Sequence, residues 1–433
     1  MLEALVVLGV LAASILFLLF LLAINYFLNP QYQISFKRRV YRFLFIIFIG
    51  TIFSLAGWLG VVGWDSALET TKNRAREVGL FFQRGDARVY DVIVLGGEPE
   101  GIAAAVAAAR AGGETLLVVQ RPRLGGLITY SWLNMLDMNY GPDRELLTRG
   151  IFAEFFQAVG GAAFDIKQAE QFFTKLVSEE KKLTVIYRRK LLSPIIGWDR
   201  ETLVGIKVQH EEKSEKYFAR RFVDATQDAD LAAAAGVSYT LGAEDVGWDR
   251  VMSSTLVFQL AGVDWPAVRH YLAADGADFT GSTKKSAWGF QEFVKDYKAG
   301  NDRFRLRSLN LGLQNDGTVM VNALQIFNVD GLDRNSREQA MLEAKAEVDR
   351  IVPFLRENVP GFREATLVAT APELYVRETR HIAGEYRLNI NDIMENRDFP
   401  DRIALASYPV DIQAMSPEDW GYVIGNPAKY AIP

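Results

Sequence analysis

Cysteine is absent from all 433 residues, which excludes a disulfide framework, a thiolate metal site, an iron-sulfur cluster and a cysteine nucleophile. Histidine is scarce as well: His210, His270 and His381 are the full set, and none has a His or Cys neighbour at metal-ligand spacing, so no metal site is expected. Long basic runs are missing from the part after residue 65, and the formal net charge is -5. That balance argues against nucleic acid as a partner.

Long apolar runs, by contrast, are present twice. Residues 5–28 carry no charge, and neither do residues 43–64. At a rise of about 1.5 Å per residue, either run is long enough to cross a hydrocarbon core of about 30 Å. The chain opens Met1-Leu2-Glu3 and places a second span after the first, which is unlike a secretory signal peptide. A two-pass anchor over residues 1–64 is therefore expected, with the lipid bilayer as a partner. The link holds Lys37, Arg38, Arg39 and Arg42, which favours an extracytoplasmic position for the remainder, although Lys72, Arg74, Arg76 and Arg84 nearly balance that count.

The remaining chain reads as α/β: a linker over residues 65–88, a Rossmann-type first part at 89–238, a mixed α+β subdomain at 239–330, and a return to the first domain at 331–433. Residues 89–95 form a short Val, Ile and Leu run that suits a strand buried on both faces. A helix made mostly of alanine is expected at 101–110, stopped by Gly112-Gly113, with the next strand at 115–119. Strand, Gly-rich turn, helix and strand fill about 30 residues, the size of a βαβ unit. Further helices are expected at 143–159, 166–181 and 335–357, a strand at 183–188, and a hairpin joining 203–208 to 216–223 across a charged turn.

A dinucleotide fold needs small residues in its first turn so that the main chain can bend and approach pyrophosphate. The turn here is Gly96-Gly97-Glu98-Pro99-Glu100-Gly101, with Glu98 where the second glycine belongs. A carboxylate facing the ligand at about 5 Å, in an effective dielectric near 20, would cost roughly 3 kcal/mol. Glu98 is therefore expected to point elsewhere. Pro99 suits the first helical position, and the charges of Glu98 and Glu100 suit a helix N-terminus, so the same residues are also compatible with a turn that binds no phosphate. At the end of the second strand, where a ribose-binding acid is expected, stands Gln120. It can accept the same hydrogen bond without charge assistance.

Three later segments complete a pattern: Arg123-Leu124-Gly125-Gly126-Leu127-Ile128-Thr129, Val223-Asp224-Ala225-Thr226-Gln227-Asp228-Ala229-Asp230-Leu231, and Arg377-Glu378-Thr379-Arg380-His381-Ile382-Ala383-Gly384-Glu385-Tyr386. In these residues and their order, the chain from Tyr90 onward resembles the bacterial FAD-dependent oxidoreductases of the glutathione-reductase-like superfamily. The resemblance implies FAD as cofactor and hydride transfer with a small-molecule substrate. It places Gly125, Gly126 and Leu127 by the flavin or its pyrophosphate, and Ala225, Thr226 and Asp228 against the cofactor. Lys190 and Leu191 fall at the adenine end, and Arg121 and Arg123 are further candidate cofactor-binding residues. Loop capping is an equal reading of Asp228 and Asp230. The family pattern also continues past Pro433, so the chain is expected to be a fragment or a truncated product.

Trp132, Asn134, Asp137, Asn139 and Tyr140 follow the Gly-Gly loop and are expected to face the flavin ring. Arg377 and Arg380 lie three apart, hence on one face if the segment is helical, and could clamp a carboxylate or hydroxyl-bearing substrate, or else form a structural salt bridge with Glu378 or Glu385. His381 is a candidate proton carrier. A membrane quinone or another acceptor would take the electrons. The competing function is a redox-inactive membrane scaffold with a degenerate dinucleotide fold, suggested by Glu98, Gln120 and Gln227.

Overall fold

The computed structural model describes residues 88–433, except Trp198, Ala277, Asp278, Asn426 and Ala428. The two expected spans lie outside the described residues. Among the described residues, no helix is long and apolar enough to cross a membrane.

The first sheet follows from the apolar runs. Strands β1 (Val89–Leu95), β2 (Thr115–Val118) and β3 (Leu183–Ile186) are parallel, and β1 also pairs in parallel with β6 (Lys213–Asp224). Strands β4 (Lys190–Ile196) and β5 (Leu203–His210) extend it as an antiparallel meander, giving the order β3-β2-β1-β6-β5-β4. Alternate residues of β1 serve two cores. Val94 packs with the buried face of α1 (Pro99–Arg110), while Ile93 and Leu95 pack with Ile206, Val208 and Leu231 on the other side. Each fully buried Val, Leu or Ile of this kind contributes about 1.5–3 kcal/mol. Alanines at 105 and 109 keep α1 thin on its sheet-facing side.

A short helix α2 (Gly126–Tyr130) follows the Gly-Gly loop, then α3 (Ile151–Val159) and α4 (Ile166–Ser178). The helix expected from residue 143 begins only at Ile151. The segment before it is a turn closed by Glu145, whose carboxylate accepts from the Asp143 amide and whose carbonyl accepts from Gly141, with Arg144 left-handed at φ 59°.

After α5 (Asp230–Ala234) and β7 (Tyr239–Leu241), a second sheet gathers β8 (Ser254–Ala261), β9 (Gly281–Ser282), β10 (Ser286–Gly289), β11 (Phe304–Leu313), β12 (Val319–Ile326) and β13 (Thr366–Thr370). Its order is β13-β8-β12-β11-β10-β9, antiparallel throughout. Helices α6 (Trp265–Asp275), α7 (Gln291–Val294) and α8 (Arg334–Asn358) accompany it. Asp333 caps α8 by accepting from the amides of Asn335 and Ser336. The helix stops at Val359, extended at φ -107° and ψ 125°, because a residue before proline disfavours helical backbone. Ala340, Ala344, Val348, Ile351 and Leu355 share one core with β8 and β12, so residues 334–370 pack with the second sheet.

The 377–386 segment is not helical. Strand β14 (Arg380–Ile382) pairs antiparallel with β7, so Arg377 and Arg380 do not share a helical face.

Candidate functional site

The first turn is sewn between two strand ends. Gly96 donates to the Val118 carbonyl at 3.0 Å, Ala225 donates to Leu95 at 2.8 Å, and Gly125 donates to Gly97 at 2.8 Å. Gly96 has φ +109°, and a Cβ built there would lie 1.9 Å from the Ala225 carbonyl oxygen. At Gly101 a Cβ would lie 2.1 Å from the Gly96 carbonyl oxygen. These glycines allow turn, helix and β6 to touch. Pro99 opens α1 and Glu100 sits in its first turn.

Outside this turn lies a cleft of about 1060 Å³. Of the residues singled out in the sequence, Gly96, Gly97, Glu98, Gln120, Arg121 and Arg123 border it at one side, and Leu127, Lys190, Leu191, Thr226, Asp228 and Arg380 at the other. Pro99, Glu100, Gly101, Gly125, Gly126, Ala225, Arg377 and His381 do not. Eight arginines and lysines against five acids line the cleft, a net positive wall suited to a diphosphate.

Glu98 is 2% exposed. Its Oε1 accepts from Arg121, whose Nε and Nη2 also grip Glu373 at 2.6–3.0 Å. The second oxygen of Glu98 has no partner among the described residues and lies where a side chain on Gly126 would begin, 1.3 Å from a Cβ built there. Gly126, at φ +48°, is thus the residue that makes room for Glu98. Burial raises the Glu98 carboxyl above its ordinary value, and Arg121 acts against that rise. The charge that would oppose a phosphate is therefore engaged by a guanidinium.

The loop after β6 is built by Asp224, which accepts from the amide and hydroxyl of Thr226 and from the Ala232 amide. Asp228 then reaches the late motif: its carboxylate accepts from the Thr379 hydroxyl at 2.8 Å, and Arg380 donates to the Asp228 carbonyl at 2.6 Å and to Asp230 at 3.0 Å. The partners of Arg380 are thus these loop residues, not Glu378 or Glu385. Burial pushes the Asp228 carboxyl up. Replacing Thr379 by Val should leave that carboxylate short of a donor and cost about 1–3 kcal/mol. Urea unfolding checks this, and an unchanged midpoint would show that the contact contributes nothing.

Arg377 donates to the Ser253 carbonyl and Thr255 hydroxyl on the far side of this segment. His381 is exposed and contacts Glu378 at 3.0 Å. In the loop after α2, Asn134 is buried and donates to the Phe164 carbonyl. Asp137 accepts from Tyr408, and the Asn139 side chain accepts from the Ser407 amide.

Reading the sequence missed the wall supplied by α8: Arg334, Arg337, Glu338, Met341, Leu342 and Lys345. Their spacing is that of one helical stripe, which could have shown them. It also missed Glu373, the second partner of Arg121, which has no local signal.

A family model described as FAD dependent oxidoreductase matches residues 91–433. No curated protein matches the chain. Among solved structures, a geranylgeranyl bacteriochlorophyll reductase-like protein from Thermoplasma acidophilum is similar at 18% identity and a TM-score of 0.39, over 66% of this chain and 65% of that one. A p-nitrophenol 4-monooxygenase from Pseudomonas putida DLL-E4 matches at 10% identity and 0.39, over 69% and 70%. A myxobacterial chondrochloren halogenase matches at 17% and 0.38, over 67% and 64%. The chain thus spans less than two thirds of the reductase-like protein and of the halogenase. These likenesses are too distant to assign chemistry.

Proposed function

Because the chain belongs to the FAD dependent oxidoreductase family, we propose that it transfers a hydride between a small organic substrate and FAD seated in the cleft beside Gly96. The observation that carries this reading is convergence. The glycine turn, the strand end at Gln120, the Thr226 to Asp230 loop and Arg380 are far apart in sequence yet border one basic cleft.

FAD supplies the redox chemistry when bound. The chain's own residues orient and hold it. Gly96 and Gly97 permit close backbone approach, and Thr226 and Gln120 present polar groups at the two strand ends. Arg123, Lys190 and Arg337 offset phosphate charge. Arg121 keeps Glu98 occupied.

We further place the protein at a bilayer through residues 5–28 and 43–64, a reading supported by their uncharged length, with the cleft-bearing part outside the cytoplasm and a quinone as one acceptor. The full chain should then fractionate with membranes, require detergent, and emerge yellow. Mixed anaerobically with a panel of alcohols, amines and saturated acids, it should lose its visible absorption with one of them. A yellow protein that no organic donor bleaches would contradict hydride transfer while leaving FAD binding intact.

A further inference from the structure

Three arginines stand together on the second sheet: Arg305 and Arg307 on β11, and Arg377 on the segment laid along β8. Each is held by neutral acceptors. Arg305 donates to Gln325 and to the carbonyls of Pro417 and Asp419, Arg307 to the Gln413 amide oxygen, and Arg377 to Ser253 and Thr255. Two are also stacked, with Arg305 4.4 Å from the Trp420 ring centroid and Arg377 4.3 Å from that of Tyr375. None of the three makes an ion pair among the described residues. Burial lowers the Arg307 guanidinium pKa, with repulsion from Arg377 and Arg305 acting in the same direction. A partly buried guanidinium beside two like charges, bonded only to an amide, lacks the anion that would offset its desolvation.

The surroundings limit what that anion is. Asp411 and Asp137 act on Arg307 through space, and Asp411 is engaged by Gln413 while Asp137 accepts from Tyr408. Asp419 and Glu418 act in the same way on Arg305, so carboxylates already surround the cluster at a distance, and a singly charged oxyanion suits it better than a dianionic phosphoryl group. The planar forks of arginine match a carboxylate's two oxygens.

The position connects this cluster to the cofactor cleft. Extended backbone points successive side chains to opposite sides. Leu374 and Val376 border the cleft, whereas Tyr375 and Arg377 meet the arginine cluster. One segment is therefore a shared wall.

We propose that Arg307 and Arg377 bind the carboxylate of an organic acid substrate on the second sheet, next to the cleft. Its role as a substrate site rests on the hydride-transfer reading, whereas the binding itself does not. Arg377 is then a binding residue.

The test uses the full-length protein in detergent, titrated with succinate and separately with inorganic phosphate, following tryptophan fluorescence, since Trp420 stacks on Arg305. Succinate is expected to give a saturable change and phosphate a weaker one. Arg307→Gln should raise the succinate Kd at least tenfold while flavin content and circular dichroism stay as in the parent. Arg307→Lys, which keeps charge but loses the fork, should fall between. Succinate binding unaltered in Arg307→Gln, phosphate binding as tight as succinate, or no succinate binding in the parent would each overturn the proposal. A colourless protein that still binds succinate through Arg307 would sink the flavin reading and leave this one standing.

Discussion

Gly96→Ala is expected to destabilise the fold by about 3 kcal/mol or more and to abolish retention of flavin. The left-handed backbone at φ +109° costs an L side chain about 1–2 kcal/mol, and overpacking adds about 1–3 kcal/mol. The obstacle is the Ala225 carbonyl oxygen, 1.9 Å from the new Cβ, and it belongs to the loop that carries Thr226 and Asp228. Relief would require β1 and β6 to separate at the point where the cleft begins. Gly126→Ala makes an informative contrast. Its Cβ meets a side chain, that of Glu98, so the double substitution Glu98→Ala, Gly126→Ala should recover the part of the Gly126→Ala loss that comes from the clash, leaving only the cost of the left-handed backbone at φ +48°. Thermal unfolding and flavin absorbance of the purified variants check both. A Gly96→Ala protein as stable and as yellow as the parent would show that the turn is not packed as described.

The second large effect concerns Arg121. Removing it as Arg121→Ala leaves Glu98 buried without its cation, a change worth about 3–5 kcal/mol for buried pairs. The pH dependence gives this its signature. Burial already holds the Glu98 carboxyl above its ordinary value of 4.5, and the variant loses the guanidinium that opposes the rise, so the carboxyl moves higher still. A group with a raised folded pKa binds its proton more tightly in the folded state. Its contribution is present below the unfolded value and disappears as pH rises through the folded one. The defect of Arg121→Ala should therefore be largest at neutral pH and shrink in mild acid. Adding Glu98→Gln should remove the pH dependence. Urea midpoints at the two pH values decide the matter, and an equal loss at both would mean that Glu98 is not the buried charge at fault.

Much of the first half was legible because local rules and tertiary packing agree there. The β1 run is buried on both faces, the alanines of α1 sit against it, and Gly96 and Gly101 meet backbone at separations that admit no side chain. Glu98 was readable as a residue that had to avoid phosphate. Where it went was not, since its partner Arg121 is shared with Glu373, 252 residues further along. The same limit applies to Arg380. Read alone, its spacing from Arg377 suggested one helical face, but pairing with β7 makes the segment extended and sends the two arginines to different sides. The turn before α3 was lost for a related reason: residues 143–150 have helical composition, yet Glu145 satisfies the local amides in another way.

The basic cleft beside Gly96 is expected to hold FAD despite the carboxylate in its turn. Denaturing the purified full-length protein and quantifying the released chromophore by absorbance and mass tests this most directly. One FAD per chain, falling to none in Gly96→Ala, is the expected result. A folded, colourless parent protein that takes up no FAD on reconstitution would contradict it.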